Sequence, residues 1–245
     1  MPEEPQTKPS SEAAQLMDAE VPQGIPSSIE LNEDRALAEL KNRDIGSELI
    51  EQISQTSGLM KSRKVRLAVA CHPRTPRRIA LRVVRELYTF DLMQFALTPT
   101  AAADLRRIAD ELLVNRLSSI TLGERISLAR RASQMVAGAL LLDKEERVWQ
   151  TAMENPRLTE ISVVRAVQKT GAAAAFVIAV SHHPKWSLRP EIRVALLRNP
   201  HTPLARAIEF ARGIPPTRLR DILHASHLPE KIKNYLRKEV GVSER

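Results

Sequence analysis

Three short stretches constrain the fold of this chain more than anything else in it: "CHPRTP" at 71–76, "ENPRLTE" at 154–160 and "RNPHTP" at 198–203. Each interrupts a helix-favouring run with a proline, and two of them set a second proline three residues further on. Proline lacks an N–H donor and keeps its predecessor out of helical backbone, so no helix runs through these points. The predecessor is His72, Asn155 or Asn199, residue types that tolerate the left-handed backbone of a helix end. Pro73, Pro156 or Pro200 follows. Thr75 and Thr202 then offer an N-cap hydroxyl, and Pro76 and Pro203 suit the first helical position. The pattern reads as helix, corner, helix.

The corners recur. Residues 64–76, "KVRLAVACHPRTP", align without a gap on 191–203, "EIRVALLRNPHTP", at an offset of 127. Residues 147–159, "RVWQTAMENPRLT", align on that copy at an offset of 44, and 179–189 align on 223–233 at the same spacing. A period of about 42–44 residues is expected, in the range of two-helix repeats. Between corners the apolar residues follow the helical period: Ile79, Val83, Val84 and Leu87 mark one face, while Arg78, Arg82 and Arg85 fall on another. No stretch alternates like a strand, and glycine is scarce, with 8 in 245 residues. The fold class is all-α.

With aromatics at only 3%, the core has to come from Leu, Ala, Val and Ile. Residues 1–31 hold five prolines, many acids and few large apolar groups, and are expected to form a disordered arm. The folded part is expected over 32–242, opening on an Asn32 cap. The first twenty residues have no basic, then apolar, leader pattern, and "GAAAAFVIAV" at 171–180 is too short to span a bilayer. A cytoplasmic protein without membrane contact is the expectation, and the single cysteine, Cys71, excludes a disulfide framework.

The corners at 71–76, 154–160 and 198–203 carry a resemblance. From about 32 to 240 the chain resembles bacterial HEAT-like repeat proteins, including the leucine-rich-repeat-variant kind. The resemblance implies a curved, right-handed α-solenoid that binds protein or nucleic acid. It brings no catalytic residues and no cofactor.

Charge gives the best hint of a partner. Residues 1–60 carry a net −8, the remainder +16. A basic surface is expected from Lys61, Arg63, Lys64, Arg74, Arg77, Arg78, Arg82 and Arg85, continued by Arg130, Arg131 and Arg189. In a repeat stack such residues line up and can track phosphates. The competing reading is a solvated helix surface, and base-stacking aromatics are few, with Trp149 and Trp186 more simply explained by packing. A further expectation is that the acids Glu3, Glu4, Glu12, Asp18 and Glu20 of the arm screen this surface. His182, His183, His224 and His227 lie near helix ends without a metal-ligand spacing, and Asp221 beside His224 lacks a third catalytic group. Cys71 reads as a small buried hydrophobe, and no phosphate-binding glycine loop occurs. The expected function is therefore a non-enzymatic scaffold for a protein partner. Nucleic-acid binding through the arginines is the alternative, and a HEAT-like DNA glycosylase the minority reading.

Overall fold

The computed structural model describes residues 31–226 and 228–241. The expected arm, except Leu31, lies outside them, as do its acids and His227. Among the described residues there are sixteen helices and no strand. In order they are α1 (Glu33–Glu39), α2 (Ser47–Gln55), α3 (Ser57–Lys61), α4 (Arg63–Cys71), α5 (Arg77–Glu86), α6 (Thr89–Leu97), α7 (Ala103–Arg116) and α8 (Leu122–Arg131). They continue with α9 (Gln134–Leu140), α10 (Glu146–Met153), α11 (Glu160–Gln168), α12 (Ala174–His182), α13 (Pro190–Arg198), α14 (Leu204–Arg212), α15 (Pro216–His224) and α16 (Glu230–Val240).

Local chemistry starts the helices where the sequence marks them. Asn32 Oδ1 accepts the Arg35 N–H at 2.9 Å, and Thr121 with Glu124 closes a reciprocal capping box at α8. Each helix packs chiefly on the next or the next but one; α1 on α4 is a three-step contact. The helices α5, α7, α9, α11, α13 and α15 form a series in which every member touches its successor. A second series pairs α2 with α4, α4 with α6, α8 with α10, α10 with α12, and α14 with α16. One hydrophobic cluster runs from Ala36 to Leu236.

Two details of the corners differ from expectation. His72 (φ −73°, ψ 130°) and Asn199 (φ −97°, ψ 127°) are extended rather than left-handed. The following proline decides this, because its ring clashes with any other backbone at the preceding residue. Nor do Thr75 and Thr202 cap the next helix. Their hydroxyls donate backwards, to Val69 O and Leu196 O, both at 2.6 Å, while Pro76 and Pro203 occupy the N-cap positions. Each threonine stands one residue too early to reach the new helix and instead gives a second donor to a carbonyl in the last turn of the old one, which already accepts the N–H of His72 or Asn199.

The corner side chains also tie the series together. Each accepts the N–H two residues on: Arg74 N–H to His72 Nδ1, Arg157 N–H to Asn155 Oδ1, Lys185 N–H to His183 Nδ1 and His201 N–H to Asn199 Oδ1. The other end of each side chain reaches an earlier helix end. His72 Nε2 donates to Asn42 O, Asn155 Nδ2 to Ala129 O and Ala132 O, His183 Nε2 to the Glu154 carboxylate, and Asn199 Nδ2 to Val167 O. Asn155, His183 and Asn199 therefore clamp helices two apart, and His72 ties the end of α4 to the turn after α1, three apart.

The period is also corrected. The helices α5, α7, α9, α11, α13 and α15 begin at 77, 103, 134, 160, 190 and 216, a unit of about 28 residues per two helices. The offset of 44 superposes helices three apart, α10 on α13 and α12 on α15, and 127 superposes α4 on α13. Corners resemble each other in both series, so the similarity follows the single helix and its turn.

Candidate functional site

The outward face of α6 is unlike that of a solvated helix. Leu92, Phe95 and Ala96 point into the core; Met93 is half-buried against its edge, while Phe90 is exposed and Leu97 half-buried on the same flank. Tyr88, just before the helix, is 54% exposed. A helix apolar on two sides has a second surface to cover. Grooves run along both flanks. One, of about 690 Å³, lies towards α4 and is lined by Arg63, Lys64, Leu67, Ala68 and Cys71 together with Asp91, Gln94 and Thr98. The other, of about 630 Å³, lies towards α8 and is lined by Phe90, Met93, Leu97, Ser127 and Arg131. Asp91, Gln94 and Thr98 border both.

Most of the expected basic surface is engaged elsewhere. Arg63 makes two 3.1 Å bonds to Asp91 and stacks on Tyr88 at 4.8 Å; the carboxylate raises its pKa above the ordinary value. Arg77 pairs with Asp104, Arg78 with Glu51 at 3.2 Å, and Arg74 with the carbonyl and carboxylate of Asp44. Arg82 donates to Ser54 O at 3.3 Å. These five arginines join a helix or corner to an element packed against it. Among the described residues, Lys61, Lys64, Arg85, Arg130, Arg131 and Arg189 have no such side-chain partner and are exposed. They are distributed over α3, α4, α5, α8 and the turn before α13, and only Lys64 and Arg131 join Arg63 in lining the α6 grooves.

Both tryptophans are buried, Trp149 edge-on to Phe176 and Trp186 donating to Met153 O at 3.0 Å, so neither presents a stacking surface. Burial pushes the Cys71 thiol up, opposed by its contact with Thr98, which is the reverse of an activated thiolate. Sequence reasoning missed Asp110. Its carboxylate accepts from Ser133 Oγ at 2.7 Å in a groove between α7, α9 and α11, and burial raises its pKa against the effects of Ser133 and Arg106. It also missed α6. The signal was available: "FDLMQFAL" holds large apolar residues at positions that cannot share one face.

No family model matches the chain, and no curated protein or solved structure shows significant similarity to it.

Proposed function

We propose that the chain is a non-enzymatic helical-repeat scaffold, its two helix series stacking as an α-solenoid, and that it binds a protein partner on the outward face of α6. The observation that carries this is the groove beside α6 that Phe90, Met93 and Leu97 wall on one side, with a second groove beyond Asp91, Gln94 and Thr98. An apolar groove wall with cations at the rim fits a partner helix that is apolar on one side and acidic at its edges. Lys64 and Arg131, without carboxylates of their own, supply the rim on either flank. The nucleic-acid alternative has less support. Five of its eleven cations are already neutralised or hydrogen-bonded within the fold, and the two tryptophans are buried.

The test is to select helical peptides from a randomised library against the whole chain and against Phe90→Asp, an exposed position where folding survives. Sequences enriched by the parent should carry flanking acids and lose binding to Phe90→Asp and, more weakly, to Lys64→Glu. Enrichment indifferent to Phe90 ends the protein-docking reading. Tight DNA or RNA binding with steep salt dependence, abolished by Lys64→Glu but not by Phe90→Asp, would replace it with the nucleic-acid reading.

A further inference from the structure

Far along the chain from α6, a cavity of about 530 Å³ opens between the ends of α11 and α13. Three of its lining side chains, Lys169, Arg198 and His201, are basic or imidazole groups, and none is a carboxylate. Elsewhere the cation at this corner position is engaged: Arg74 bonds to Asp44, and Arg157 to Arg131 O at 3.2 Å. At the corner of Asn199 that position holds His201, whose backbone N–H is taken by Asn199 Oδ1 but whose ring has no partner among the described residues. Arg198 Nε is buried without an acceptor, a costly arrangement for a charged donor. Across the opening, Lys169 leads into Thr170 and Gly171, and Gly171 adopts φ +86° with open space where a side chain would stand. The bond from Asn199 Nδ2 to Val167 O at 2.7 Å holds the two corners together, so the residues that line the cavity sit on a fixed frame.

We infer that this cavity is an anion site for a phosphomonoester. Charge-assisted bonds from a guanidinium and an ammonium suit a compact dianion. The volume exceeds that of a phosphate group alone, and Val167, Ala172 and Ala195 supply an apolar wall for an attached carbon chain. No Phe, Tyr or Trp ring lines it. A phosphate on a small metabolite and one on a phosphorylated side chain present the same chemistry to these groups.

The experiment is calorimetric titration of the whole chain with inorganic phosphate, glycerol 3-phosphate and a short phosphoserine peptide at low salt. Phosphate binding near about 1 mM is expected, with at least one of the organic esters tighter. Lys169→Gln, an exposed change that leaves the fold intact, and Arg198→Gln should each weaken it about tenfold or more, whereas Lys64→Gln on the distant face should not. The better of the two esters identifies the source. Absence of binding by all three probes at about 20 mM, or equal weakening by Lys64→Gln, overturns the site as mere attraction to a basic protein.

Discussion

Asn155 is the sharpest place to test the claim that corner side chains clamp helices together. It is 1% exposed, donates to Ala129 O at 2.8 Å and Ala132 O at 3.2 Å, and accepts the Arg157 N–H at 2.8 Å. Asn155→Ala removes all three bonds and strands the carbonyls at the end of α8 in a site water does not reach. A net hydrogen bond contributes about 0.5–1.5 kcal/mol and an orphaned buried group costs about 1–3 kcal/mol, so the change should destabilise by about 2–4 kcal/mol, allowing for non-additivity. For a chain of this length that corresponds to a fall in Tm of about 5–12 °C. Asn155→Asp should be worse than Ala, because it turns a donor into a second carboxylate oxygen facing two carbonyls. Asn199→Ala, with two such bonds at a less buried site, should cost less. Urea unfolding followed by circular dichroism measures the order through the midpoint at constant slope, and hydrogen exchange reports the Arg157 amide directly. If Ala and Asp both fall within about 0.5 kcal/mol of the parent, or the Arg157 amide keeps its protection in Asn155→Ala, the clamp carries no weight.

Other expectations follow from the charged groups. Arg125 and Asp143 form a 2.9 Å pair with side chains only 12% and 10% exposed, so Asp143→Asn should cost about 3 kcal/mol, while Arg77→Gln, at an exposed pair, should cost under about 1 kcal/mol; denaturation midpoints compare them. Burial penalises the charged form of Asp110, so Asp110→Asn, which still accepts from Ser133, should raise Tm at neutral pH. That gain should vanish as pH falls through the raised pKa towards the ordinary aspartate range, and a lower Tm for the variant at neutral pH would show that Arg106 outweighs burial. Cys71, with its thiol pushed up by burial, should alkylate more slowly at neutral pH than a free cysteine, and a faster rate by mass spectrometry would contradict the assignment.

The all-helical character was legible because proline acts locally. Pro73, Pro156 and Pro200 end helices whatever surrounds them, and Asn32 caps through an atom three residues from its target. The repeat length was misjudged for the same reason. A corner looks alike in either helix series, so self-similarity counts helices and cannot tell which helices pack side by side. The left-handed geometry assigned to His72 and Asn199 failed where two local rules competed: tolerance of that backbone is a weak preference, and the steric demand of the next proline is a strong one. Thr75 and Thr202 were read one position out, which reversed the direction of their hydrogen bonds.

The basic surface was least legible, and the reason lies in the range of the interaction. Sequence spacing places Arg78 and Arg82 on one helical face but says nothing of Glu51 and the Ser54 carbonyl, 27 and 28 residues away, that meet them. The same separation recurs at Arg63 with Asp91, Arg77 with Asp104 and Arg218 with Glu191. It matches the two-helix unit of about 28 residues: Arg63, Arg77 and Arg218 find their acceptors two helices along, and Arg78 and Arg82 of α5 find theirs on α2, three along across the short α3. Arginine suits this task because its long apolar stem crosses the gap between helices and its planar head can grip a carboxylate or a terminal carbonyl. A high arginine content in such a chain therefore measures first how its helices are fastened. The cations that remain without a partner at a groove, Lys64 and Arg131 beside α6 and Lys169 and Arg198 at the α11–α13 corner, are the ones whose chemistry is directed outward.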